Sequence, residues 1–188
     1  MAVLAIQITG APVLHAPAQP VTEFDESLRK LVDDMFDTMT EAPGVGLAAP
    51  QVGVGLKVFV YSWTDDDDVL WRGVAINPEL LISPTPTGLA DEDDDSEGCL
   101  SVPGERFPLR RSDRAVLRAV DLDQKPFEID ATGWLARIFQ HEFDHLDGVL
   151  YVDRLEHLHS KAVTKAIKKS GWGVPGNSWM PGIDDLEG

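Results

Sequence analysis

In the stretch RIFQHEFDHLDG, Arg137 to Gly148, two histidines stand four residues apart and a glutamate directly follows the first. On a helix, positions i and i+4 project from one face, so His141 and His145 could offer two imidazoles to one cation while Glu142, one step round, leans over the same place. A divalent ion held by three protein ligands keeps a fourth position for water, lowers that water's pKa toward neutrality, and works with a carboxylate that takes the proton. Glu142 fits that last part. The alternative is a surface helix carrying two histidines by chance, and the five-residue pattern alone does not separate the two.

The residues that follow narrow the choice. A longer zinc-hydrolase pattern would place a glycine three residues beyond the second histidine and a third histidine three further on; Gly148 is present, but Tyr151 occupies the histidine position. Glu156 follows the helix too closely to fold back easily as a ligand, so the third ligand comes from elsewhere in the chain. Two loops carry unexplained chemistry. GVGLAAPQVG, from Gly44, has glycines and small side chains that let a backbone approach a ligand, with the Gln51 amide able to donate or accept. EGCLSVPG, from Glu97, holds Cys99 between Gly98 and Leu100. Cys99 is the only cysteine, which excludes an intramolecular disulfide and fits a reducing compartment.

The elements that must position these residues are legible in outline. Leu28, Leu31, Val32, Met35, Phe36 and Met39 repeat at helical spacing until Pro43-Gly44, which predicts an N-terminal amphipathic helix. LKVFVYSW (Leu56 to Trp63) and VLWRGVAINP (Val69 to Pro78) read as strands, and Ala115–Leu122 with Pro126–Ala131 as a hairpin. A helix from Thr132-Gly133 through His145, apolar at Trp134, Leu135, Ile138 and Phe139, belongs centrally against a sheet and stops at Gly148. A last helix is expected over Asp153 to Ser170, followed by a tail, 171–188, too dense in Gly, Pro and Trp to be regular. Strands grouped before the late helices give an α+β class: one domain over 1–170, with mixed or antiparallel sheets around the histidine helix.

Composition sets the limits. A chain of 188 residues, 43% hydrophobic and 26% charged, is a soluble globular domain long enough to bury a core, and no run approaches the ~20 apolar residues that span a bilayer. A cytoplasmic protein with no membrane partner is the expectation. The net charge of −16 argues against specific DNA binding, because phosphate is held through concentrated Lys and Arg. Asp65 to Asp68 and Asp91 to Asp95 read as solvated loops. By contrast, Arg154, Lys161, Lys165, Lys168 and Lys169 give the last helix a basic face, either simply solvated or suited to docking something anionic.

Taken in order along the chain, GVGLAAPQVG, EGCLSVPG and the His-Glu-x-x-His helix closely resemble the three signature motifs of the peptide deformylases, over roughly residues 4 to 155, and SVPGE and GWGVPG look like the actinobacterial members. The resemblance implies a metallohydrolase that removes formate from the N-terminal formylmethionine of new chains. It makes Cys99 the third ligand beside His141 and His145, with Fe²⁺ the usual metal and Zn²⁺, Ni²⁺ or Co²⁺ able to replace it. It assigns the acid–base role to Glu142 and oxyanion donation to the Gln51 amide and the Leu100 N–H. Substrate would pair as an added strand with Val45, Gly46 and Gly98, its methionine side chain lying near Val45, Trp134, Ile138 and His141. Arg137 stands where some family members carry an aliphatic residue. Arg106 is expected at the substrate loop, paired with Glu97, and Asp144 behind the ligands. Formylmethionyl nascent peptides are then the substrate, and the ribosome is the anionic body the basic helix would meet. Two other readings stay open: a generic peptidase, which needs neither Cys99 nor Gln51, and a structural metal domain, which leaves Glu142 without a purpose.

Overall fold

The chain opens with a two-residue strand, β1 (Ile6–Gln7), and a 3-10 turn at Pro12–His15, ahead of α1 (Glu26–Glu41); the computed structural model describes residues 2–184 and 186. Asp25 caps α1, its carboxylate accepting from the Leu28 N–H at 3.0 Å and so satisfying one of the free donors of the first turn. The stripe of Leu28, Val32, Met35 and Met39 is buried, as its spacing predicts.

Next come β2 (Gly46–Ala48), β3 (Val58–Thr64), β4 (Leu70–Ile82), the pair β5 (Ser96–Cys99) and β6 (Val102–Pro108), and the hairpin β7 (Arg114–Val120) and β8 (Pro126–Thr132). Five of them form an antiparallel sheet in the order β2-β3-β4-β7-β8, while β5 and β6 form a separate ribbon. The expected end of β4 at Pro78 is wrong for a local reason. Its ladder to β7 shifts register between Ile76 and Glu79, with Asn77 in the left-handed region at φ 50°. The Asn77 amide accepts from Val21 N–H at 2.8 Å and donates to Val21 C=O at 2.9 Å. The bulge absorbs the proline and the strand continues.

Helix α2 (Gly133–Leu146) lies across this sheet. Phe139, fully buried, meets Tyr61 edge-on with ring centroids 5.1 Å apart. Gly148 ends the segment at φ +75°, and a Cβ there would stand 2.7 Å from the Ala16 nitrogen, so only glycine fits. The last helix is shorter than expected. Tyr151–Arg154 is a separate 3-10 turn, Leu155 and Glu156 are extended, and α3 runs over His157–Lys169. Arg154 is drawn out of the helical path by Asp144, which accepts from its guanidinium at 2.6 and 2.7 Å. The described part of the tail is turns and bends except at one place. It forms β9 (Ser178–Trp179), antiparallel to β1 with Trp179 opposite Ile6. The apolar area of the Trp179 ring, 4% exposed, outweighs the glycines and prolines around it.

Candidate metal centre and active site

Two elements bring the ligating atoms together. α2 stacks His141 over His145 one turn apart, and the bend between β5 and β6 carries Cys99 to them. The sulfur of Cys99 and the ring nitrogens of His141 and His145 all lie within 4.8 Å of one another. The Cys99 Sγ is 3.4 Å from His145 Nε2, which is 3.3 Å from His141 Nε2. All three residues are buried, so these are converging sulfur and nitrogen atoms with little water to solvate them.

What surrounds the ligands fixes their orientation. Glu97 lies 2.6 Å from His141 Nδ1 and fixes the ring with Nε2 turned to the cluster; burial alone would lower the His141 imidazole, but Cys99 and Glu97 outweigh it and hold it well above the ordinary histidine range in the absence of a cation. Both Glu97 oxygens are further held by Arg111, at 2.6 and 3.1 Å, and Arg137 adds a bond at 3.1 Å. Burial alone would raise the Glu97 carboxyl, but His141 and Arg111 outweigh it and hold Glu97 far below the usual carboxylate range. Arg111 also reaches Asp144 at 2.6 Å. The expected Glu97–Arg106 pair is therefore wrong: Glu97 turns inward to Arg111, Arg137 and His141, and Arg106 instead lays its side chain over Gly98 at the cleft. Asp144 does lie behind the ligands, bridging Arg111 and Arg154. His145 is pushed well below the ordinary histidine range by burial first and by His141 second, which favours the neutral ring.

Glu142 and Gln51 flank the cluster. Glu142 is 4% exposed, its Oε2 has no hydrogen-bond partner among the described residues, and burial pushes its carboxyl up to about 7. An orphaned buried carboxyl oxygen of raised pKa beside three converging ligand atoms fits a site completed by a cation and water. Gly46 is what lets it sit there: a Cβ at 46 would lie 2.3 Å from Glu142 Oε1. The Ala48 N–H donates to Gln51 Oε1 at 2.8 Å, which assigns the amide and points its Nε2 donor toward Cys99 Sγ at 3.7 Å and Ser101 Oγ at 3.4 Å.

These groups line one cleft of about 500 Å³. Val45, Gly46, Gly98, Leu100, Arg106, Trp134, Arg137 and Ile138 line it with Gln51, Cys99, His141 and Glu142, while His145 lies beneath it. Among the described residues β2 is an edge strand and β5 belongs to a two-stranded ribbon, so each presents an edge with no second strand paired to it. Sequence reasoning missed three neighbours. Trp63 lines the cleft, its ring 6.2 Å from that of Trp134, and strand alternation alone gives no sign of this. Arg111 is one arginine in an ordinary-looking loop. Tyr151 stacks on His141 at 6.1 Å and 29°. Asp95 was expected in a solvated run but is 7% exposed, bonded to Arg137 at 2.6 Å and Arg110 at 3.0 Å.

The chain is similar in sequence and fold to known proteins. A family profile described as Polypeptide deformylase matches residues 3–161. Over 193 aligned residues, 95% of this chain and 94% of that protein, the chain is 52% identical to a peptide deformylase of Tropheryma whipplei. A crystal structure of a peptide deformylase from Legionella pneumophila superposes with a TM-score of 0.77 at 39% identity, covering 90% of this chain and 96% of that one. One from Ehrlichia chaffeensis in complex with actinonin gives 0.79 at 35% identity, covering 90% and 98%. The chain belongs to the polypeptide deformylase family, enzymes that remove the N-formyl group from new polypeptides.

Proposed function

We propose that Cys99, His141 and His145 hold one divalent cation and that Glu142, Gln51 and Leu100 carry out formyl hydrolysis around it. The observation that carries this reading is the unpartnered Glu142 Oε2 beside three mutually close ligand atoms at the bottom of an open cleft. A thiolate with two imidazoles suits Fe²⁺, Zn²⁺, Ni²⁺ or Co²⁺, and we take Fe²⁺ as the working metal. When bound, the cation supplies a Lewis acid and acidifies a water molecule.

The chain's own groups do the rest. Glu142 Oε2 takes a proton from the attacking water as its oxygen bonds to the formyl carbon. Charge developing on the formyl oxygen is met by the Gln51 Nε2–H and the Leu100 N–H. Glu142 then gives its proton to the peptide nitrogen as the carbon–nitrogen bond breaks, leaving formate and a free amine. Val45, Gly46 and Gly98 hold the peptide backbone. Trp134, Ile138 and the stem of Arg137 wall the methionine side chain, and Arg106 covers the outer end of the cleft. The chain works in the cytoplasm on formylmethionyl nascent chains, where a single buried thiol stays reduced. Its catalytic domain is 1–170, with the tail bound to it through β9.

The test uses anaerobically purified, Fe²⁺-loaded protein and three peptides: formyl-Met-Ala-Ser, acetyl-Met-Ala-Ser and the unblocked tripeptide. Formate release from the first, with no cleavage of the others, is expected, and Cys99→Ala should abolish it together with metal content. Cleavage of internal peptide bonds that survives Cys99→Ala would replace this reading with a general peptidase.

A further inference from the structure

The C-terminal tail reaches the metal centre through one hydrogen bond. Trp179, buried between β1 and α1 residues, donates its indole N–H to the Leu100 carbonyl at 2.8 Å. The peptide unit that receives this bond runs from Leu100 C=O to Ser101 N–H, and that N–H donates to Cys99 Sγ at 3.4 Å. On the far side, the Ser101 carbonyl accepts from Thr9 N–H at 2.8 Å. Ser101 itself is fully buried. The relay is therefore continuous: indole N–H, carbonyl, peptide N–H, sulfur.

We propose that Trp179 is a positioning residue of the metal centre, acting through the Leu100–Ser101 peptide on the Cys99 sulfur. Donation to the carbonyl polarises the peptide and strengthens the N–H aimed at sulfur. Hydrogen bonds to a ligating sulfur draw off its electron density and tune the metal it holds. The same bond fixes the tilt of the peptide plane, and so the loop on which Leu100 lines the cleft. Tail and ligand loop are 79 residues apart in sequence and meet only because β9 pairs with β1.

This rests on Cys99 being a metal ligand, and the experiment separates the two claims. Co²⁺-loaded protein is compared with its Trp179→Phe variant by absorption and by steady-state formate release from formyl-Met-Ala-Ser. Because Phe can leave the pocket underfilled, a second variant replaces Trp179 with β-(3-benzothienyl)alanine, whose sulfur stands where the indole N–H was and whose shape is kept. Both variants should move the thiolate-to-cobalt charge-transfer band to longer wavelength, because a sulfur with a weaker hydrogen bond is a better donor. Losing a partner directly bonded to a ligand costs about 10–100-fold; one peptide further out, kcat should fall about threefold to tenfold with KM within about twofold. An unmoved band and an unchanged kcat in the isosteric variant would make Trp179 mere packing and overturn the proposal. Absence of any thiolate-to-cobalt band in the parent would remove Cys99 from the ligand set and the proposal with it.

Discussion

Glu142 is held where its charged form is expensive, which underlies the acid–base role proposed for it and gives it a measurable effect on stability. In the metal-free fold it keeps its proton up to about pH 7, against an ordinary value of 4.5, because burial penalises the carboxylate. Between those values the folded chain binds more protons than the unfolded one, so stability falls as pH rises through that window; below it the penalty vanishes. The full difference amounts to about 3 kcal/mol. Metal-free Glu142→Gln should therefore match the parent near pH 4 and exceed it by up to about 3 kcal/mol near pH 8 in urea titrations. Parallel stabilities at both pH values would contradict this account of the carboxyl. Arg111 shows the opposite economy. It is 6% exposed and bonds both Glu97 and Asp144, so Arg111→Leu takes one buried cationic partner from each, leaving Glu97 to Arg137 and His141 and Asp144 to Arg154, and should cost about 3 kcal/mol, the low end for breaking a buried pair, read as a fall in Tm. Arg154, 47% exposed on the same Asp144, should cost under about 1 kcal/mol when cut to Ala.

At the scale of elements, the active centre depends on how closely β2 passes α2. Gly46 is paired to Tyr61 across β2 and β3, and its missing side chain makes the space that Glu142 occupies. Gly46→Ala should leave the ladder and the metal content unchanged while displacing Glu142, with kcat down at least about tenfold, a part of the 10²–10⁴ that acid–base catalysis contributes. A variant with normal kcat would mean that Glu142 tolerates the shift. This also shows how far sequence reasoning reaches. Helices α1 and α2 and the β7–β8 hairpin were legible because period and punctuation agree locally. The pairing of Cys99 with the histidines was legible only through resemblance to the family, since 41 residues of sequence separate Cys99 from His141 and spacing says nothing about such a contact. The Glu97–Arg111–Asp144 network was not legible, and neither was the seat of Asp95. An arginine in a loop looks the same whether its partner is solvent or a carboxylate folded in from elsewhere.

Over the whole molecule, charge and topology divide the work. The acidic excess is spread over the loops, with Asp66 to Asp68 and Asp91 to Asp94 exposed. α3 keeps Lys161, Lys165, Lys168 and Lys169 exposed along one short helix. If this face docks ribosomes, replacing all four by Glu should weaken cosedimentation with them, most at low salt, while formate release from a short peptide stays at the parental rate. Undiminished cosedimentation would leave α3 as a solvated face. The two-residue strand in the otherwise irregular tail was not legible because it depends on β1, nearly the whole chain away. No helix among the described residues is long and apolar enough to cross a membrane. The measurement that tests the central claim most directly is single-turnover formate release from formyl-Met-Ala-Ser by the parent and by Glu142→Gln at equal, measured metal content. Release by the parent with a loss of at least ~10²-fold in the variant is the predicted result. Release within a few-fold of the parent would remove Glu142 as the acid–base group and contradict the account.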